Sequence, residues 1–286
     1  MTPELLLQST VLGLSMGAIY ILMALGLTLM FGMMHIINFA HGAIYMLGAF
    51  AIYYLFAQAG IPYIVAFVLT LLLLGGFGLI VERLIYRTLG REIEPTLVAL
   101  LALTTLLESS GYLAFGVLDK DVPTVFPGVI HATGITLSVE RVAIIPIVAV
   151  MVVALHIFMQ RTKTGQAMRA IEQDREAAAL QGVNVNRINA LAFGIGFALA
   201  AAAGALMAPV FAVSPSMGEL PLLKAFIIII LGGLGSIPGA ILGGVILGLI
   251  DGVLATAFGF EVAFLLSFVL IIVILLVKPQ GLLGHA

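Results

Sequence analysis

Cysteine and charge are both scarce in this sequence. It has no cysteine, only 9% charged residues and a net charge of −2. Without cysteine there is no disulfide, no thiolate metal site and no thiol nucleophile. A nearly neutral chain whose basic residues cluster only in one central loop also lacks the electrostatic basis for binding nucleic acid.

Motifs for catalysis and nucleotide binding are missing as well. The sequence shows no His-Glu-x-x-His motif, no Ser-His-Asp order and no paired catalytic carboxylates. The glycine-rich run GGLGSIPG at 232–239 lacks both the G-x-G-x-x-G spacing and the Lys-Ser/Thr pair of a phosphate-binding loop. We therefore expect no enzyme activity, catalytic residue, metal or cofactor on this chain.

Hydrophobic residues, by contrast, make up 62% of the chain, and the mean hydropathy is +1.25. Apolar runs of about 18 residues or more recur, which is long enough for a helix to cross a bilayer. The composition predicts an all-α fold, namely a polytopic integral membrane helical bundle forming a single domain over residues 1–286. No basic residues precede the first apolar run in MTPELLLQST, so we interpret that run as a retained span.

Polar and glycine- or proline-containing segments divide the chain into about 8–9 transmembrane segments, some broken or re-entrant. The run at 222–231 has a length of only about half a bilayer. It either crosses the membrane or forms a re-entrant pair with the next run. The predicted spans are 5–31, 43–56, 63–81, 96–117, 142–159, 188–213, 222–231, 240–257 and 262–277.

Basic residues predict the orientation. Cytoplasmic loops are enriched in Lys and Arg, and most of the twelve such residues fall on one side of the predicted spans. This places the N-terminus in the periplasm and the C-terminus in the cytoplasm, which requires an odd number of crossings, nine or seven. The inner set is Arg83, Arg87, Arg91, Arg161, Lys163, Arg169, Arg175, Arg187 and Lys278, and the outer set is Lys120, Arg141 and Lys224.

The central loop at 161–187 carries an unusual concentration of charge. Within it, Asp174 is placed to cap a short helix, Glu176 suits the first turn, and Gly182 suits a left-handed helix end. The loop is either a plain cytoplasmic connection or a docking element for a soluble partner.

Two segments, 31–52 and 231–250, have the same order of features. In each, an apolar run ends at a glycine, a short polar stretch follows, and a new helix with regularly spaced glycines begins. Matching breaks in the two halves of a transporter point to its translocation pathway. We therefore expect Asn38, His41, Gly235, Ser236 and Gly239 to lie near a pathway, although ordinary loops would look much the same.

Small residues four positions apart predict closely packed helix faces. One face consists of Gly244, Gly248 and Gly252, and the other of Gly196, Ala200, Gly204 and Ala208.

Few polar groups lie inside the apolar spans. His35, Asn38 and His41 are a poor metal set and are better suited to satisfying backbone at a helix break. Glu108 and Asp251 are either functional carboxylates or buried acids with structural partners.

Three motifs together carry a resemblance to a known family. They are HIINFAHGAIYMLGAF at 35–50, the loop containing E-A-A-x3-G at 176–182, and FIIIILGGLGSIPGAILGG at 226–244. The chain resembles the LivH-type permease subunits of bacterial high-affinity branched-chain amino acid ABC importers. The family also includes urea and short-amide permeases.

The resemblance implies a subunit of the bacterial inner membrane that works with a second, related permease in a heterodimer. It also implies a periplasmic substrate-binding protein and two cytoplasmic ATPase subunits, which hold ATP and Mg. The residues expected to couple to the ATPase are Arg169, Glu172, Asp174, Glu176, Ala177, Ala178 and Gly182. The rival interpretations are a urea or short-amide permease and an ion-coupled secondary transporter that uses Glu108 or Asp251 as a proton carrier.

Overall fold

The computed structural model describes residues 2–89, 92–132, 135–278 and 281–283, and within them the chain is overwhelmingly helical. The prediction of an all-α fold is confirmed for the apolar part of the chain. The elements in chain order are α1 (Pro3–Met34), α2 (His41–Ile52), π1 (Tyr53–Gln58), α3 (Tyr63–Val81), π2 (Glu82–Tyr86), α4 (Ile93–Phe115), β1 (Val129–Ala132), β2 (Ile135–Ser138), α5 (Val139–Arg161), α6 (Lys163–Gln173), α7 (Arg175–Leu180), α8 (Val185–Met207), α9 (Glu219–Gly232), α10 (Ile237–Phe258) and α11 (Phe260–Val277).

Six helices in the described residues are long and apolar enough to cross a membrane, by length and composition. They are α1, α3 with π2, α4, α5, α8 and α10. Three further apolar helices are shorter or interrupted: α2 continues into π1, α9 has 14 residues, and α11 has 18. Arg91, one of the basic residues used for the orientation, lies outside the described residues.

Two helices form the centre of the bundle. The most apolar windows of α1 and α8 are 83% and 78% buried, whereas that of α4 is only 11% buried. Helices α3, α4 and α5 thus present apolar surface outwards, as lipid-facing or partner-facing helices do. The core consists mainly of Ala, Leu, Ile and Met side chains.

Glycines allow α1 and α10 to run antiparallel with their backbones almost in contact. A methyl group on Gly17 would lie 2.7 Å from the Gly244 carbonyl oxygen and 3.1 Å from Gly248 Cα, and one on Gly13 would lie 3.1 Å from Gly252 Cα. Real Cβ atoms essentially never approach other atoms below 3.0 Å. The predicted packing face on α10 is therefore confirmed, and α1 supplies the matching glycines.

The second small-residue face, on α8, packs against α1 and α2. A methyl group on Gly196 would lie 3.0 Å from the Gly26 carbonyl oxygen, and one on Gly204 would lie 3.1 Å from the Ala49 backbone nitrogen. Ala200 is fully buried on the same face. This face also follows the sequence prediction.

The short helix α9 lies antiparallel to α10. Gly232 packs against Gly239 at the connecting turn, and a methyl group on Gly243 would lie 3.1 Å from the Ile228 carbonyl oxygen. The last carbonyls of α9 receive partners from far along the chain, because Leu282 N and Leu283 N donate to Leu231 O and Gly232 O at 2.7 and 3.0 Å. The backbone of residues 282 and 283 thus satisfies the carbonyl groups at this end of α9.

A short β-hairpin, which the sequence prediction did not include, lies in the loop between α4 and α5. Strands β1 and β2 pair antiparallel, with Val129 opposite Ser138. The loop is fastened at two places. Glu140 accepts hydrogen bonds from the backbone N–H groups of Val125 and Phe126 at 3.0 and 2.9 Å. Residues 120 and 213 exchange two backbone hydrogen bonds.

The α1–α10 contact predicts a large difference between two glycine substitutions. Gly248→Val should destabilise the protein by about 1–3 kcal/mol, because the new side chain collides with the backbone of Gly13 and Gly17. Gly76→Val is the matched control, since nothing lies within 4 Å of a methyl group at Gly76. Thermal unfolding in detergent measures both, and equal melting temperatures would contradict the packing described here.

Candidate functional site

The predicted docking helix in the central loop is α7. Asp174 caps it by accepting hydrogen bonds from Glu176 N and Ala177 N at 2.9 Å each. Gly182 ends it in the left-handed region, with φ of +85°. Such caps provide hydrogen-bond partners for the backbone N–H and C=O groups at the two ends of a helix, which have no partners within the helix. The cap, the acidic first turn and the glycine stop all follow the sequence prediction.

The capping pattern predicts one helix in this loop, but the structure shows two. Thr162 Oγ1 accepts a hydrogen bond from Gly165 N at 3.0 Å and begins α6. Met168 and Ile171 of α6 are buried, and Gly165 packs directly on the backbone of Met159 in α5. Helix α6 is therefore a fixed part of the bundle that carries α7.

Three of the seven predicted coupling residues anchor or shape the loop. Arg169 Nη1 donates to Gln160 Oε1 at 2.6 Å, which ties α6 to α5. Asp174 is the cap of α7, and Ala178 is buried beneath that helix. A further anchor is Arg175, whose Nη1 donates to the Tyr86 hydroxyl at 3.2 Å and ties α7 to π2.

The exposed surface of α7 is formed by Glu176, Ala177, Ala179, Leu180 and the adjoining Gly182. Leu180 is 88% exposed, although it is a large apolar side chain. Exposed apolar residues on a charged, water-facing segment are typical of contacts with another protein. The sequence prediction missed Leu180, yet its position in the most charged stretch of the chain was a usable signal.

Glu172 reaches from α6 to the break between α9 and α10. A methyl group on Gly32 would lie 3.0 Å from Glu172 Oε1, and a methyl group on Gly235 would lie 3.5 Å from the same oxygen. The methyl group on Gly235 would also lie 3.6 Å from the Cα atom of Gly32. Gly235 has φ of +85°. One predicted coupling residue thus meets one predicted pathway residue, beside the end of α1. A groove of about 550 Å³ between α5, α6 and this turn includes Glu172, Gly235 and Ser236.

Ser236 and Gly239 form the start of α10. Ser236 Oγ accepts a hydrogen bond from Gly239 N at 3.1 Å, a side-chain cap. Gly239 is buried against Gly232. These contacts join the two helices tightly at the turn.

The other predicted pathway pair, Asn38 and His41, packs against α1. Asn38 Oδ1 accepts a hydrogen bond from Ala40 N at 3.0 Å, and His41 Nε2 lies 3.2 Å from the carbonyl oxygen of Met23. Both side chains are buried. Met23 and Gly32 are nine residues apart on α1, which is about 13 Å along a helix. The structure therefore places His41 at a different level from Gly235. Asn38 lies closer to that turn, because its Nδ2 is 3.7 Å from Sδ of Met30, only two residues from Gly32 on α1.

Asp251 has structural partners. Its Oδ1 accepts from Lys224 Nζ at 2.8 Å and lies 2.6 Å from Ser267 Oγ. Lys224 was expected near the outer edge as one of the outer basic residues. It is only 2% exposed near the start of α9, where Asp251 and Ser267 supply its hydrogen-bond partners in place of water. The other intramembrane acid, Glu108, is only partly buried on α4.

The chain matches the model of one protein family, described as "Branched-chain amino acid transport system / permease component", over residues 9–275. It is 36% identical over 250 residues to the high-affinity branched-chain amino acid transport system permease protein BraD of Pseudomonas aeruginosa, covering 82% of this chain and 81% of BraD. It is 34% identical over 293 residues to the Escherichia coli permease protein LivH, covering 97% and 95%.

A more distant relative comes from an archaeon. The chain is 29% identical over 232 residues to a probable branched-chain amino acid transport permease protein LivH of Methanocaldococcus jannaschii, covering 77% of this chain and 72% of that protein. The family match extends from α1 to α11, over nearly all the elements described above. The chain belongs to the family of branched-chain amino acid transport system permease components.

Proposed function

We propose that this chain is the membrane permease subunit of an ATP-driven importer that moves branched-chain, aliphatic amino acids across a bacterial inner membrane. The observation that carries the proposal is the family match over residues 9–275. The names of the bacterial relatives, transport system permease proteins, support the same function. The six long apolar helices and three shorter ones suit a multi-pass membrane subunit.

The partners follow from this function. The permease pairs with a second, related permease, receives substrate from a periplasmic binding protein, and is driven by two cytoplasmic ATPase subunits that bind ATP and Mg. The exposed face of α7 supports the ATPase contact, since it combines Glu176 with the exposed Leu180. The apolar surfaces of α3, α4 and α5 suit lipid or the second permease.

The coupling mechanism that we infer runs from α7 through α6 to the helix break. When the ATPase subunits close, they push on α7, and the movement passes to α6 because Asp174 both ends α6 and caps α7. Helix α6 then moves together with α5, to which Arg169 ties it. Glu172 then acts at Gly235, between α9 and α10 and beside α1. Shifts of packed helices of this kind open a pathway to one side and close it to the other.

The orientation belongs to the same proposal. We infer nine crossings, by α1, α2 with π1, α3, α4, α5, α8, α9, α10 and α11. Helix α10 supports this number, because its 22 residues are long enough for a full pass of its own. The central loop then lies in the cytoplasm together with most of the basic residues.

Single cysteines test this orientation, because the chain has none of its own. Lys120→Cys should react with a membrane-impermeant maleimide added to intact cells, since the α4–α5 loop is placed outside. Gln173→Cys should react only after the membrane is opened. Labelling in the opposite order would invert the proposed topology.

Uptake experiments test the function itself. Vesicles containing the full transporter should accumulate leucine when ATP is supplied, and an uncoupler should leave that uptake unchanged. An ion-coupled carrier would show the reverse dependence, although Asp251 is already bound to Lys224 and is poorly placed to carry protons. Uptake of urea or acetamide in place of leucine would indicate the short-amide alternative.

Two substitutions at one position test the docking role of α7. Gly182→Val forces a β-branched residue into the left-handed region, at a cost of about 1–2 kcal/mol, and should deform the end of α7. Gly182→Asn is the matched control, because asparagine tolerates that conformation and nothing lies within 4 Å of the new Cβ. We expect the valine variant to reach the membrane but to lose the ATPase on co-purification, while the asparagine variant retains it.

Leu180→Asp supplies an independent variant that leaves the helix ends intact. It should also weaken co-purification of the ATPase, because the exposed apolar contact is replaced by a charge. If both Gly182→Val and Leu180→Asp bind the ATPase and transport normally, α7 is not the docking element.

A further inference from the structure

A cavity of about 220 Å³ lies at the end of the bundle where α5 begins and α10 ends. Its walls come from α1, α5, α9, α10 and α11. Arg141, Lys224 and Asp251 line one part, and apolar side chains including Leu12, Met16, Phe260 and Phe264 line much of the rest. The cavity therefore combines charges of both signs with an apolar wall.

The carboxylate in this cavity is only partly engaged. Lys224 Nζ and Ser267 Oγ both contact Oδ1 of Asp251, at 2.8 and 2.6 Å. Neither of these two contacts involves the other carboxylate oxygen, Oδ2. Asp251 lines the cavity. One carboxylate oxygen is thus placed to accept a further donor.

The cations in the cavity outnumber the carboxylate. Lys224 is paired with Asp251, but Arg141 has no carboxylate within 4.0 Å among the described residues. Its guanidinium lies over the ring of Phe211, 5.3 Å from the centroid. A lysine and an arginine beside one carboxylate leave one positive charge in excess, which favours an anionic group in the cavity.

These groups match the two charges of an α-amino acid. An α-carboxylate is complementary to Arg141 and Lys224, and the α-ammonium group on the same carbon is complementary to Oδ2 of Asp251. The volume exceeds the roughly 150 Å³ of an apolar protein cavity that holds benzene. It therefore has room for a small aliphatic side chain against Met16 and Phe264.

We propose that this cavity binds the zwitterion of an aliphatic amino acid on its way through the permease, an inference that rests on the transport function proposed above. Lys224, Arg141 and Asp251 recognise the two charged groups, and the apolar wall receives the side chain. Buried ion pairs in membrane helices face a cavity or the bundle interior and mark transport routes.

Ligand analogues test the site without altering the protein. Binding of radiolabelled leucine to the purified permease in lipid nanodiscs should be displaced by unlabelled leucine. The analogue without the ammonium group, 4-methylpentanoate, and the one without the carboxylate, 3-methylbutylamine, should each compete at least tenfold more weakly. Equal competition by either analogue would overturn the two-charge recognition.

A double substitution separates substrate binding from a structural ion pair. Replacing a buried pair by apolar residues of similar size is often neutral for stability, so Lys224→Met with Asp251→Leu should keep the melting temperature. It should nevertheless reduce leucine binding and uptake at least tenfold. Lys120→Met is the matched control, since Lys120 does not line the cavity, and should bind leucine like the wild type.

A second variant fills the cavity and leaves the ion pair in place. Ala255→Phe adds a ring to the cavity wall and should also reduce leucine binding at least tenfold. If this variant and the double variant bind and import leucine normally in an ATP-dependent assay, the site is wrong and the permease function stands. If the wild type itself shows no ATP-dependent import, the function and the inference fail together.

An anionic lipid headgroup is the other source of a negative group for Arg141 and Lys224. Nanodiscs containing phosphatidylglycerol or only phosphatidylcholine distinguish the two. Leucine binding of the same affinity in both supports the amino acid site. Stabilisation by phosphatidylglycerol that the double variant abolishes, together with unchanged leucine binding in that variant, would assign the cavity to lipid.

Discussion

Backbone groups within a bilayer have no water to bond, so each interruption of a membrane helix needs a partner from the protein itself. The chain meets this constraint with short local contacts. His35 N donates to Phe31 O at 2.7 Å after α1, Ala40 N donates to Asn38 Oδ1 before α2, and Gly239 N donates to Ser236 Oγ in α10. Breaks at these positions are thereby stable, and the glycine contacts of α1, α8 and α10 hold the helices on either side.

The sequence predicted those features that depend on local chemistry. Apolar length located the helices, glycine spacing located the α8 and α10 faces, and Asp174 and Gly182 marked the two ends of α7. It failed where the deciding partner is distant. The burial of Lys224 was not predicted, because its partners, Asp251 and Ser267, lie 27 and 43 residues away. Helix α6 was missed because its apolar face is formed by only a few residues and is stabilised by α5.

The candidate site shows the same division. The E-A-A-x3-G pattern located the short helix that contains Glu176, Ala177 and Ala178 and ends at Gly182. It did not distinguish the structural positions of the seven residues that we predict to couple to the ATPase. Arg169 and Ala178 hold the loop, Glu176 faces outwards, and Glu172 meets the turn at Gly235. Only packing distinguishes an anchor from a contact surface. The substrate-facing chemistry proposed for Lys224 and Asp251 likewise depends on the cavity around them, which no local pattern reveals.

The backbone bonds from Leu282 and Leu283 to the end of α9 bear on how the protein is made. Leu282 is synthesised 51 residues after its acceptor, Leu231 (282 − 231). During translation the carbonyls at the end of α9 therefore lack these partners until α10 and α11 have left the ribosome. A helix of 14 residues with an open end is poorly suited to stay in the bilayer alone. Its final position is consequently reached late, when the last helices of the chain have been inserted beside it.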